Sequence, residues 1–271
     1  MVHRRTWSHD LLTRRSPLID LAQFAALAGA LIWLGARGAQ AMGYNWQWYR
    51  IPHYIYRVID GELIWGPLVK GVIVTLEISA YGMVLTLAIG LITALLRLSD
   101  SFAGRVLARG YLEIIRNTPL LVQLYLFYFV LSPVLGVDRF WTGVLCISFF
   151  EGSFAAEIIR AGILSVARGQ WEAGGSVGLS RTDIYRFIVL PQAVLMMLPP
   201  LTSLAVSLIK HSAIVSVIAV FDLTTEGRNV ISETFMSFEV WFTVAGIYLA
   251  FTCSLSAFVS FLEHRLRRSQ A

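Results

Sequence analysis

Charge is scarce in this chain of 271 residues: Asp, Glu, Lys and Arg make up 14% of it, against about 25% in an ordinary soluble domain. With 56% hydrophobic residues, it cannot cover a globular surface with polar groups, so a membrane protein is expected. Lysine is scarcer still. Its only positions are Lys70, after Val69, and Lys210, after Ile209, whereas a phosphate-cradling loop needs Gly-Lys-Ser/Thr. A nucleotide-hydrolysing loop of that kind is therefore excluded. Cysteine is confined to Cys146 and Cys253, both inside apolar runs and without metal or redox spacing, so both read as packing residues. Neither a nucleophile elbow nor a His-Glu-x-x-His motif occurs, and the chain is expected to bind no metal or cofactor and to catalyse no reaction of its own. The net charge of +5 comes from arginines spread between apolar runs and not from one basic block, which argues against nucleic acid and for contact with membrane lipid.

What the chain does have is long apolar runs. Residues 1–17 carry Arg4, Arg5, Arg14 and Arg15, and residues 18–41 then form an apolar segment near the ~20 residues that a membrane helix needs. An uncleaved first helix is expected there. Cleavage is the alternative, because Ala39-Gln40-Ala41 resembles a signal-peptidase site. Residues 42–66 interleave Tyr44, Trp46, Trp48, Tyr49, Tyr54, Tyr56 and Trp65 with Pro52 and Gly61, the composition of an interfacial stretch. Further crossings are predicted over about 69–96, 118–135 and 141–166, from Phe187 onward, and over 240–262, with a break and an outer segment over 207–238. Thr118 can cap and Pro119 suits a first helical position, so the third crossing is expected to open there. Pro191, Pro199 and Pro200 predict a kinked or broken fifth helix on a watery path. The expected fold is an all-α integral membrane protein with about six crossings. Fifteen of the 22 basic residues fall on one set of loops and termini, which puts both ends, including the basic tail 265–271, in the cytoplasm.

Between the fourth and fifth apolar runs lies a polar island, residues 167–186, too charged for lipid. Gly178 suits the left-handed residue that ends a short helix, and Ser180 with Asp183 has the spacing of a capping box that opens the next one. The pattern Glu172-Ala173-Gly174, three residues, Gly178, nine residues, Ile188, one residue, Leu190-Pro191 resembles the signature loop of permease subunits in bacterial ATP-binding cassette importers. That loop more often has Ala where this chain has Gly174. The flanks Tyr111–Gln123, Ala156–Gly162 and Ser207–Ala213 resemble the polar amino acid uptake branch, and the likeness covers residues 67–264. It implies a type I importer permease domain, with a cytoplasmic coupling helix at Gln170, Glu172, Ala173, Gly174, Gly178, Leu179 and Arg181. It also implies two ATPase subunits that carry ATP and Mg²⁺, a second permease subunit, identical or related, and an external amino-acid-binding protein. Alternating access would move the substrate. An ion-coupled secondary transporter or a membrane scaffold is the competing class; the first often has an internal repeat, which is not seen here.

Ionisable groups inside apolar runs are costly and should face the bundle interior or water, which singles out Glu77, Glu151 and Glu157. Glu157 and Arg160, three apart on one helix, either pair or serve the path. Glu151 has no neutralising neighbour in sequence. It either meets a cationic group of the substrate or pairs with an arginine of a neighbouring subunit. Thr118, Pro119, Gln123, Pro199 and Lys210 complete the candidate path. Lys210 either draws in a carboxylate or snorkels outward, and His211 reads as a packing residue. Lys210-His211-Ser212-Ala213 resembles permeases for acidic and amide amino acids, whereas Glu151 points to a cation.

Overall fold

A computed structural model describes residues 17–268, with side chains over 19–261. The expected N-terminal segment, with Arg4, Arg5, Arg14 and Arg15, lies outside the described residues, as do the side chains of the basic tail. The chain divides into two units at Gln47 and Trp48. In the first, α1 (Pro17–Ala41) fills the first apolar run with 25 residues, about 37 Å at 1.5 Å per residue. Ile19, Leu21, Phe24, Leu31, Ile32 and Trp33, spread over all sides of this helix, are exposed.

The second unit opens with a 3-10 turn (Trp48–Arg50), the short α2 (Pro52–Ile55), and a hairpin of β1 (Tyr56–Ile59) and β2 (Glu62–Trp65). The hairpin lies within the stretch expected to be interfacial, and the rest of the described chain is helical as expected. Its cause is local: Asp60 (φ 53°) and Gly61 (φ 81°) form the two-residue turn that sends β-branched neighbours back as paired strands, with Ile59 opposite Glu62.

Next comes α3 (Pro67–Leu98), an apolar helix of 32 residues, then α4 (Phe102–Arg116), capped by Ser101 Oγ accepting from the Gly104 N–H at 3.1 Å. The chain turns by 109° into a segment made of α5 (Leu120–Leu126), a π-helical turn (Phe127–Leu131) and α6 (Ser132–Leu135). The residue that caps α5 is Pro119 and not Thr118, whose hydroxyl points back and donates to the Ile114 carbonyl at 2.8 Å. α7 (Arg139–Leu164) starts on Asp138, which accepts from the Trp141 N–H at 3.0 Å.

The polar island holds α8 (Arg168–Ser176) and the one-turn α9 (Arg181–Asp183), and a π-helical turn (Ile184–Val189) leads into α10 (Leu190–Ser212). Contrary to expectation, α10 is not broken at Pro199 and Pro200, and it runs past residue 207. Pro199 and Pro200 leave the Leu195 and Met196 carbonyls without a ladder donor, and just beyond them Thr202 Oγ1 donates to the Leu198 and Pro199 carbonyls at 2.9 and 2.6 Å and Ser203 Oγ to Pro199 at 3.3 Å. The irregularity lies ahead of Pro191, in the π-helical turn. A 3-10 turn (Ala213–Ile218), α11 (Leu223–Thr234) and α12 (Ser237–Arg268) complete the chain.

Five of these helices are long and apolar enough to cross a bilayer, or six if the bent α4–α5 pair counts as one crossing. The core forms where α3 lies on α7. Gly82, Thr86, Gly90 and Ala94, four residues apart and all buried, let the helices approach closely, and Ser148 Oγ on α7 donates to the Gly82 carbonyl at 3.3 Å. Apolar clusters then occupy three levels: Leu68, Leu223 and Val240 at the hairpin end, Ile78, Leu124, Ile147 and Leu208 in the middle, and Ile159, Ile163, Val189 and Met197 beside α8. At the hairpin end Asp222 caps α11, accepting from the Thr224 and Thr225 N–H groups at 3.1 and 3.0 Å. Burial nevertheless pushes its carboxyl above the usual carboxylate range.

Candidate functional site

The polar island is an elbow built from two caps. At the end of α8 the Leu179 N–H bonds to the Gly174 carbonyl (3.1 Å) and the Gly178 N–H to the Gly175 carbonyl (3.0 Å), while Gly178 sits at φ 80°. This paired closure ends a helix in the left-handed region that glycine enters at least cost. Two residues later Ser180 Oγ accepts from the Asp183 N–H at 3.2 Å and donates to the Asp183 carboxylate at 2.5 Å, starting the next helix at once.

The elbow is held to the bundle by its inner side. Gly174 is buried against Ile184 and Ile188; a methyl group there would meet Ile188 Cδ1 at 2.8 Å, which accounts for glycine where the signature more often has alanine. Trp171 stacks edge-on against Tyr185 at 4.9 Å. The outer side is free: Gln170, Glu172, Ala173, Gly178, Leu179 and Arg181 are all exposed, with Arg168 and Glu172 3.1 Å apart along α8. The seven loop residues predicted from sequence thus lie together, six outward and Gly174 inward.

The candidate path residues do not form one site. Glu151 is buried on α7 at 3% exposure, with its Oε1 2.5 Å from His211 Nδ1 on α10. Phe150 stacks edge-on against the same ring at 5.8 Å. Its partner in this chain is therefore a histidine 60 residues away, and His211 does more than pack. Glu157, lower on α7, is gripped by Arg97 from α3, by Arg160 at 2.9 Å and by Arg116 at 3.8 Å. Arg116 also lies over the Phe154 ring at 5.1 Å.

Gln123 is buried at the α4–α5 corner, where its Nε2 donates to the Ile115 carbonyl (2.7 Å) and to the carbonyl and hydroxyl oxygens of Thr118 (3.0 and 2.7 Å). It braces the corner together with Thr118, beside Pro119. Glu77 and Lys210 are exposed, with no hydrogen-bond or ion-pair partner among the described residues. Pro199 is half-buried inside α10. Sequence reasoning missed the His211 partner and the Arg97 contact, which connect distant elements. The five-residue spacing from Thr118 to Gln123 was a signal for the corner brace.

Two cavities flank the elbow end. An apolar groove of about 700 Å³ runs past Leu91, Ile163, Arg181, Tyr185 and Met197. A polar one of about 360 Å³ is lined by Arg97, Arg109, Arg116, Glu113 and Glu157 with Leu112 and Asn117.

Residues 86–268, from the middle of α3 to the end of α12, match the family described as binding-protein-dependent transport system inner membrane component. The chain belongs to this family. The permease is 36% identical over 214 residues to the glutamine transport system permease protein GlnP of Escherichia coli (strain K12), covering 77% of this chain and 98% of that one. It is 37% identical over 196 residues to the probable glutamine ABC transporter permease protein GlnM of Bacillus subtilis (strain 168), with coverage of 72% and 91%. Among solved structures, a chain from a crystal structure of an amino acid ABC transporter with histidines superposes with a TM-score of 0.69 at 36% identity, over 73% of the permease and 94% of that chain. A chain of the inward-facing MetNI methionine ABC transporter follows at TM-score 0.61 and 19% identity, over 76% and 96%, a likeness that speaks to the fold alone. The permease is thus a multi-pass inner-membrane protein with the type I importer fold.

Proposed function

We propose that this permease carries a polar amino acid into the cell by alternating access, driven by two separate ATPase subunits seated on the elbow. ATP and Mg²⁺ belong to those subunits, a soluble receptor delivers the substrate outside, and a second permease subunit completes the pathway. The observation that carries this reading is the elbow: an exposed polar helix bearing Glu172, closed at Gly178 and followed at once by the Ser180 cap, its inner side packed through Gly174 and Trp171 onto the turn that opens α10. A lipid-facing scaffold has no need of such a projection. An ion-coupled carrier has no motor to fit it.

For the substrate, the relatives named for glutamine favour an amide amino acid. Glu151 lies against His211, and in this reading the pair contacts the polar groups of the passing substrate. The test uses proteoliposomes holding the assembled importer. Glu172→Lys and Gly178→Val are expected to leave the chain inserted and the ATPase active while uptake per ATP falls at least about tenfold, equivalent to about 1.4 kcal/mol of coupling. Wild-type uptake per ATP in both variants would refute the role of the elbow. Uptake that persists without ATP and collapses with a proton or sodium gradient would select the ion-coupled class.

A further inference from the structure

α4 divides lengthwise into three strips. Gly104, Ala108, Leu112 and Ile115 are buried against the bundle. Phe102, Val106, Leu107 and Ile114 stand out, at 76%, 50%, 70% and 65% exposure. Between these strips, on one flank, Arg105, Arg109 and Arg116 follow at helical spacing. A helix with that distribution, turned by 109° from α5, is suited to lie along a bilayer surface, with apolar side chains at the acyl boundary and arginines at headgroup level.

The basic flank opens onto the polar cavity of about 360 Å³ at the end of α3. Inside it, Arg97 is committed to Glu157, Arg116 only approaches Glu157 at 3.8 Å, and Glu113 accepts from Asn117 Nδ2 at 3.0 Å. Arg109 is left with no hydrogen-bond or ion-pair partner among the described residues. A cavity with a surplus guanidinium, floored by Leu112 and rimmed by an exposed apolar strip, is complementary to one kind of molecule: a phosphate joined to hydrocarbon.

We propose that this cavity binds the headgroup phosphate of an anionic phospholipid from the leaflet on the elbow side. Arg109 is the main contact and Arg116 the second, and the acyl chains run along Phe102 and Val106. A guanidinium pairs with phosphate through parallel N–H bonds, and basic pockets between membrane helices on the cytoplasmic side are suited to such headgroups. A zwitterionic lipid would bring its ammonium against the arginines, and a free phosphate would gain nothing from the apolar rim. The inference rests on the membrane character of the chain and is independent of how the elbow is driven.

The test is native mass spectrometry of the full-length chain in its assembled importer, extracted from vesicles of equal phosphatidylglycerol and phosphatidylethanolamine. Wild type is expected to retain phosphatidylglycerol preferentially. Arg109→Gln should cut that preference about fivefold, the worth of one arginine near an anionic surface; Arg109→Lys should keep most of it. Arg57→Gln on the hairpin, far along the chain from the cavity, should leave it unchanged. Arg109 is exposed and unpaired, so its replacement threatens no packing, and an unaltered melting midpoint confirms this. No preference in wild type, equal retention by Arg109→Gln, or displacement of the lipid by millimolar inorganic phosphate would each overturn the proposal, the last assigning the cavity to a free anion. Lipid retention is read without transport, so failure here and failure of the elbow variants remain distinguishable.

Discussion

At the scale of single residues, the permease keeps its buried charges by pairing them across helices. Glu151 exchanges water for one imidazole. His211→Leu would strand that carboxylate in the bundle, and a buried charge that has lost its partner typically costs about 3–5 kcal/mol. A marked fall in melting midpoint is therefore expected in detergent, and His211→Leu combined with Glu151→Gln should recover most of it, because the double change removes the charge as well as its partner. Gln123→Ala should cost about 1–3 kcal/mol, measured in the same way, by leaving the Ile115 and Thr118 carbonyls at the corner without a donor. Both acids were conspicuous in the sequence, since charge in an apolar run is conspicuous. Their partners were not, because a pairing between positions 151 and 211 leaves no trace in local spacing. Only Glu157 with Arg160, three residues apart, could be read directly.

At the scale of elements, legibility followed how local the cause was. The elbow was readable because Gly178, Ser180 and Asp183 act within their own turn. The hairpin was equally local, through Asp60-Gly61 between Val58-Ile59 and Leu63-Ile64, yet the aromatic composition around it pointed to an interfacial stretch and masked the turn signal. α10 continues through Pro199 and Pro200, which cost it two ladder donors without ending it. The cap of α11 has a pH consequence. Asp222 has its carboxyl pKa raised by burial, so the unfolded chain ionises first as pH climbs from about 4, and the group's contribution to stability falls across that window. Asp222→Asn, which keeps the capping oxygen, should abolish that decline in a series of melting midpoints against pH. Asp222→Ala should lower the midpoint throughout, by about 1 kcal/mol of lost cap.

At the scale of the whole molecule, the number of crossings and their order were legible because lipid demands long apolar helices, and α3, α7, α10 and α12 lie close to where hydropathy puts them. With the bent α4–α5 pair counted as one crossing, three crossings separate the hairpin from the elbow, which puts the two on opposite faces. In a Cys253→Ser background, an impermeant maleimide added to intact cells should label Glu62→Cys and leave Gly175→Cys untouched until the membrane is opened. Reversed labelling would invert the topology.

The packing of Gly174 between Ile184 and Ile188 reaches further than the elbow. The short arm and the start of the long helix above it share one apolar joint, made by Gly174 with the Ile184 and Ile188 side chains. On the function proposed above, a motor docked on the arm would turn it together with the start of α10, the helix that carries His211.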